Sequence, residues 1–133
     1  MSADEGNHRG VDLGEISVER DEADIAVLTV RGEHDLNTAA QLRERLEALI
    51  GERRAVVVDL SPATFVDSSI LGVILEARRI AEQAGRGYAV AHAEGAPAVT
   101  RVLEITGLRG ELPVHESVEA ASSDARAPSG GSG

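Results

Sequence analysis

The segment Asp67-Ser68-Ser69 places a carboxylate and two hydroxyl groups directly in front of an apolar run with helical spacing. A helix that begins here has free backbone N–H groups in its first turn, and its dipole favours negative charge at that end. Two interpretations are open. Asp67 or Ser68 is a helix cap worth about 0.5–2 kcal/mol, or the segment displays a serine hydroxyl where a phosphate would be well accommodated.

A helical wheel divides the residues after this segment into two faces. The face expected in the core carries Ile70, Val73, Ile74, Ala77, Ile80, Ala81 and Ala84. The outward face carries Ser68, Leu71, Gly72, Leu75, Arg79 and Glu82. A serine followed by leucines on one outward face predicts a docking surface with a modifiable hydroxyl at its end, unless neighbouring helices cover the leucines. A glycine in mid-helix indicates the close approach of another backbone, from this chain or from a partner.

A second polar loop, which contains Asp35 and Asn37, follows an apolar strand. Because the carboxyl ends of parallel strands meet at one edge of a sheet, we expect Asp35 and Ser68 to share a rim if their strands are neighbours. Asp35 either contacts a partner there or accepts hydrogen bonds from the N–H groups of its own loop.

The strands and helices that position these loops are predicted from the spacing of apolar residues, which has one period in strands and another in helices. Apolar residues over 13–18 and 25–30 predict a β-hairpin, and continuous apolar runs over 55–58 and 88–92 predict buried strands. The capping-box spacing of Thr38 and Gln41 predicts the first helix, which ends at Gly51. Further helices are predicted over about 68–84 and 97–107, then a short strand near Leu112 and a helical turn near Val118. This order predicts an α/β domain whose second, third and fourth strands are parallel.

Composition limits the number of domains and the classes of function. A length of 133 residues predicts one domain. The absence of cysteine and lysine excludes disulfides, thiolate nucleophiles and lysine chemistry. A net charge of −10 argues against binding to nucleic acid or to an anionic membrane. The acidic start lacks an apolar segment, so we expect a cytoplasmic protein with a flexible arm over 1–10, a folded domain over 11–121 and a disordered Gly/Ser-rich tail over 122–133.

The segment from Phe65 to Leu75 resembles the signature of the STAS domain, specifically that of bacterial anti-sigma factor antagonists. The loop over 32–35 and the segments 105–108 and 113–120 are also similar to that family, so the resemblance covers roughly residues 25–120. It implies a single STAS-like domain with a mixed, mostly parallel sheet of about four to five strands and helices packed on one side. Two residues depart from the family pattern: Ile70 replaces a usual glycine, and His34 replaces a customary apolar residue.

The resemblance also implies a regulatory cycle. In that family the first serine after the aspartate, here Ser68, is phosphorylated by an anti-sigma factor that is a serine kinase. The unmodified protein binds the anti-sigma factor, which frees the sigma factor. Phosphorylation inactivates the antagonist, and a phosphatase restores its unmodified form. No enzyme activity, catalytic residue, cofactor or metal is expected. The expected partner-binding residues are Asp35, Asn37, Asp67, Ser68, Ser69, Leu71, Gly72, Leu75 and Arg79.

Other classes of function have less support. A phosphoacceptor receiver domain would use Asp59 but also needs a lysine, and a serine hydrolase needs a Gly-x-Ser-x-Gly segment; the chain has neither. Nucleotide binding lacks a glycine-rich cradle. The residues His34, His92 and His115 lack convergent metal spacing and are expected to be surface or capping residues. The competing class is a non-phosphorylated STAS scaffold or accessory subunit of a signalling or transporter complex.

Overall fold

The computed structural model describes residues 14–21, 24–93, 97–106 and 114–126. The strands are β1 (Glu15–Arg20), β2 (Ile25–His34), β3 (Ala55–Asp59), β4 (Ala63–Val66), β5 (Tyr88–Ala91) and β6 (Val114–His115). The helices are α1 (Leu36–Gly51), α2 (Ser68–Gln83), α3 (Pro97–Thr106) and α4 (Val118–Arg126). The predicted arm over 1–10, the helix end at Gly107 and the strand near Leu112 lie outside the described residues.

The six strands form one mixed sheet, in which five are neighbours in the order β1-β2-β3-β5-β6 and the sixth, β4, pairs with β2. β1 pairs with β2 in antiparallel orientation, and all other pairs are parallel. β3 pairs with the first half of β2, while β4 pairs with its last residues, so both occupy the same side of that long strand. The predicted α/β domain with a mostly parallel sheet is confirmed.

The sheet is covered on both faces. The larger core lies beneath α1, α2 and α3, where Val56 and Val58 pack. Val57 points to the opposite face and packs in a second cluster with Ala121 and Ala125 of α4. The expectation that the helices pack on one side therefore holds for α1–α3 but not for α4. The physical reason is that the consecutive apolar residues of β3 expose side chains to both faces and require cover on each.

The contact between α4 and the sheet depends on a glycine. A Cβ atom at Gly87 would overlap the carbonyl group of Ala125, so no larger residue fits without displacing the helix. Because Ala125 is buried and α4 ends at Arg126, the expected domain boundary at residue 121 lies inside this helix. No helix in the described ranges is long and apolar enough to cross a membrane.

Candidate functional site

The loops after β2 and β4 meet at one edge of the sheet. His34 and Val66, the last residues of these two strands, are register partners, so α1 and α2 begin side by side. The backbone N–H of Leu36, the first residue of α1, lies near enough to the Asp67 carboxylate to help lower its pKa. The structure therefore brings Asp35 and Ser68 to a common rim, as expected if their strands were neighbours, but the strand before Ser68 is β4, which the sequence analysis did not predict.

Asp67 connects the starts of both helices. As the N-cap of α2, its Oδ1 accepts hydrogen bonds from the backbone N–H groups of Ser69 at 3.0 Å and Ile70 at 3.2 Å, and from the Ser69 hydroxyl at 2.5 Å. Partial burial, the largest single influence, raises the pKa of Asp67, but the bonds from Ser69, Ile70 and Leu36 outweigh it and hold that pKa below its ordinary value. The carboxylate is thus ionised and fully engaged.

These hydrogen bonds change the expected anion site at the start of α2. Two N–H groups of the first turn already bind Asp67, and that of Leu71 binds the Asp67 carbonyl oxygen. The side chain of Ser68 is exposed, and its hydroxyl forms no hydrogen bond with any residue that the structure describes. A group attached to this hydroxyl would project from the rim instead of replacing the capping carboxylate.

Asp35 has a structural role at the neighbouring helix. It is the N-cap of α1 and accepts a hydrogen bond from the backbone N–H of Asn37 at 2.9 Å. Thr38, which the sequence indicated as the first cap, is instead the N3 residue of this capping box; its Oγ1 donates to the Asp35 carbonyl oxygen at 3.1 Å. The helix therefore begins before the predicted residue. Because Asp35 and Asn37 remain exposed, capping does not remove them from the rim surface.

His34 lies under the rim and not on it. Its side chain is 1% exposed, with Nδ1 at 3.0 Å from Thr38 Oγ1 and Nε2 at 3.0 Å from the Arg31 carbonyl oxygen. A Cβ atom at Gly14 would overlap the imidazole ring, which shows how tightly the ring is enclosed. The expectation of a surface histidine is wrong here. The ring takes the buried place of the customary apolar residue because its two nitrogens find polar partners.

The other two described histidines are backbone neighbours, since the His92 N–H donates to the His115 carbonyl oxygen at 2.8 Å, but their side chains have different partners. His92 is also buried, and its Nε2 lies 2.9 Å from Thr100 Oγ1, so the surface prediction is wrong for this residue as well. His115 Nε2 lies 3.0 Å from Asp124 Oδ2 and joins β6 to α4. No group of three or more acidic or histidine side chains in the described segments could hold a metal ion.

The outward face of α2 differs from the helical wheel at one leucine. Leu71 is only 2% exposed and belongs to the larger core, so the packing of neighbouring elements removes it from the outward face. Leu75 is half-buried against the same core, whereas Gly72 and Arg79 are exposed. No described atom lies within 4 Å of a Cβ built at Gly72, so this part of the chain makes no close backbone approach there. Ile70 is fully buried, as the wheel predicted.

Two exposed apolar side chains near the rim escaped the sequence reasoning. Leu36 is 72% exposed and Phe65 is 42% exposed, and they are the exposed large hydrophobic residues of the described segments. At 3.6 residues per turn, Leu36 lies about 90° from the centre of the buried stripe of α1, at its border and not within it. This offset, together with its place directly after the cap, is the signal in the sequence that separates Leu36 from that stripe.

Comparisons with known proteins agree with this arrangement. The family model described as "Mlab, STAS domain" matches residues 17–115. The anti-sigma F factor antagonist of Paenibacillus polymyxa is 30% identical over 95 residues, which cover 70% of this chain and 80% of that protein. The crystal structure of an anti-sigma factor antagonist from Mycobacterium paratuberculosis is 27% identical and has a TM-score of 0.74, over 87% of this chain and 97% of that chain.

A more distant structure has the same fold. The Bacillus cell fate determinant SpoIIAA in its phosphorylated form has a TM-score of 0.61 at 22% identity, over 82% of this chain and 97% of that chain. The matched family model covers most of the described sheet and helices, from β1 to β6. The chain therefore belongs to the STAS domain family, in which the relatives from Paenibacillus and Mycobacterium are anti-sigma factor antagonists.

Proposed function

We propose that this protein is an anti-sigma factor antagonist that binds an anti-sigma factor through the rim at the starts of α1 and α2, and that phosphorylation of Ser68 releases this partner. The observation that carries the proposal is the exposed Ser68 hydroxyl, which has no hydrogen-bond partner among the described residues and stands at the family's modified position. The two relatives named as antagonists support the regulatory part of the proposal. A kinase and a phosphatase are the further partners that such a cycle requires.

The surroundings of Ser68 favour this serine over its neighbour. The Ser69 hydroxyl is committed to Asp67 at 2.5 Å, so its phosphorylation would break a capping interaction. Ile70, which replaces the family's usual glycine, is fully buried and leaves the approach to Ser68 open. Arg79 lies about three turns further along the same face of α2. It is exposed and remains a candidate contact.

Electrostatics explain how a phosphate would release the partner. A phosphoserine adds about −1.5 to −2 charges, beside the ionised Asp67 and on a chain of net charge −10. The dipole of α2 stabilises that anion by only about 0.3–1 kcal/mol, because Asp67 already occupies two of the N–H groups. Enclosing an unpaired dianion at an interface costs several kcal/mol, and each 1.4 kcal/mol weakens affinity about tenfold.

The test uses purified anti-sigma factors from the same genome. Calorimetric titration of the wild-type protein identifies the one that binds, and incubation with ATP followed by mass spectrometry locates any phosphate. We expect one phosphate on Ser68, none on Ser68→Ala, and at least about a tenfold loss of affinity for Ser68→Asp. Ser69→Ala is the matched control and keeps the phosphate on Ser68.

The outcome also separates the two classes of function. A protein that binds no anti-sigma factor, takes up no phosphate and is unaffected by Ser68→Asp would contradict the proposal. Such a result would favour a non-phosphorylated scaffold or an accessory subunit of a signalling or transporter complex.

A further inference from the structure

Two exposed apolar side chains at this end of the sheet have exposed acidic neighbours, since Phe65 is the register partner of Glu33 and Leu36 follows Asp35. We name this group the Leu36–Phe65 patch and define it as Leu36, Phe65, Glu33 and Asp35. The two apolar members are 72% and 42% exposed, while other large apolar side chains of the described segments are partly or fully buried. Large apolar side chains that stay exposed together near a polar rim are typical of protein interaction surfaces.

A β-bulge explains why Phe65 is exposed. The β2–β4 register pairs Gly32 with Ala63 but Glu33 with Phe65, so Thr64 is an extra residue in β4. Gly32 has a φ of 82°, a left-handed conformation that glycine adopts without steric cost. The bulge breaks the alternation of β4 and turns two successive side chains outward. Phe65 consequently lies beside the exposed Glu33.

The patch is continuous with the rim around Ser68. Phe65 stands three residues before Ser68 in the chain. Leu36 lies on the other side, because its backbone N–H is near the carboxylate of Asp67, the residue directly before Ser68. A partner that covers Ser68 would therefore meet Leu36 and Phe65 on its way to the rim.

The charge of the patch indicates the chemistry of its partner. The segments 31–37 and 63–69 contain Glu33, Asp35 and Asp67 against a single arginine, Arg31. Neither Glu33 nor Asp35 forms an ion pair with another residue in the described part of the chain, and both are exposed. An acidic border around apolar side chains is complementary to an apolar recess with arginine or lysine residues at its edge.

We infer that Leu36 and Phe65 are the apolar anchors by which this protein recognises its partner, and that the partner presents an apolar recess bordered by basic residues that pair with Glu33 and Asp35. The inference rests on the proposed function, since the partner is the anti-sigma factor that binds the rim. It assigns the binding energy to the β2–β4 end and the first turn of α1, whereas the sequence pattern assigned it to leucines along α2. Anchors of this kind carry most of the affinity of an interface, and acidic rim residues set its salt dependence.

The test measures the affinity of variants for the anti-sigma factor that the wild type binds, by calorimetric titration. Leu36→Ala and Phe65→Ala should each weaken binding at least about tenfold, as expected for anchors. Ile80→Ala, a half-buried apolar residue in the last turn of α2, is the control and should change the affinity less than about twofold. Thermal unfolding of each variant checks that the fold is retained.

The charge component is tested separately. Glu33→Gln and Asp35→Asn should reduce the loss of affinity that occurs when the ionic strength rises from about 0.05 to about 0.5 M. Asparagine caps a helix about as well as aspartate, so α1 remains intact in the second variant.

The possible results distinguish this inference from the proposed function. If the wild type binds but Leu36→Ala and Phe65→Ala bind equally tightly, the inference is overturned and the proposed function stands. If binding is insensitive to salt in the wild type, the basic border of the recess is overturned. If no anti-sigma factor binds the wild type, both proposals fail.

Discussion

Removing the Asp67 carboxylate should loosen the starts of two helices at once. Asp67→Ala deletes an N-cap, a loss of about 0.5–2 kcal/mol, and also leaves the Ser69 hydroxyl without its charged acceptor and the Leu36 N–H without a nearby carboxylate. Hydrogen bonds to charged groups contribute about 1.5–3 kcal/mol when buried, but water replaces part of this at the half-exposed rim. We therefore expect a fall in the free energy of unfolding of about 2–3 kcal/mol at neutral pH. Asp67→Asn keeps an acceptor oxygen and should cost about 1 kcal/mol.

The same substitution predicts a pH dependence with a definite sign. Hydrogen bonds from Ser69, Ile70 and Leu36 lower the pKa of Asp67 in the folded state despite its partial burial. A lowered folded-state pKa gives a stabilisation that is complete well above the ordinary value of about 3.9 and is lost as the pH falls through the folded-state pKa. The difference in stability between the wild type and Asp67→Asn should therefore shrink on acidification.

Urea unfolding, followed by circular dichroism across the pH range in which both proteins remain folded, measures this difference. Ser69→Ala supplies an independent control, because it removes one donor and should raise the pKa of Asp67, as followed by NMR titration. A cost of less than about 0.5 kcal/mol for Asp67→Ala, or a difference for Asp67→Asn that stays constant down to acidic pH, would refute the role of Asp67 as the shared cap.

Three further substitutions test packing. Gly87→Ala should destabilise the protein by about 1–3 kcal/mol in urea unfolding, because its Cβ would overlap the Ala125 carbonyl; a neutral result would contradict the close packing of α4. Gly72→Ala should stabilise it by about 0.5–1 kcal/mol, since open space surrounds that helical residue. If a partner backbone approaches Gly72, the same variant loses affinity in calorimetric titration while it gains stability. Tyr88→Phe should cost about 1–2 kcal/mol, because it removes the buried 2.9 Å hydrogen bond to the Ile74 carbonyl oxygen; an unchanged unfolding midpoint would argue against that bond.

Regular periodicity made the central elements predictable. The consecutive valines at 56–58 indicated a strand covered on both faces, and all three are buried. The core face of α2 followed from helical spacing, and Asp67 was one of the two predicted caps. These predictions succeed because each rests on a repeat that continues along the element and on local rules of helix termination.

The parts that the sequence did not reveal depend on contacts between elements. β4 has four residues whose two central side chains face outward because of a bulge, so it lacks the alternation that marks a strand. Leu71 lies near the boundary between the two faces of α2, and only the packing of neighbouring elements decides that it is buried. The placement of α4 relies on alanines, whose small apolar surface gives little indication of which face they cover.

The rim illustrates why the type of a residue did not determine its role there. Asp35 and Asp67 both looked like candidate partner contacts, yet each is the cap of a helix, and Asp67 also lies beside the first turn of α1. Because Asp67 caps α2, its carboxylate already accepts the hydrogen bonds of the N–H groups that would otherwise bind a phosphate on Ser68. Under the proposed function, a phosphate on Ser68 would therefore add charge to a surface whose backbone is already fixed, and the first turn of α2 would offer it few free N–H donors.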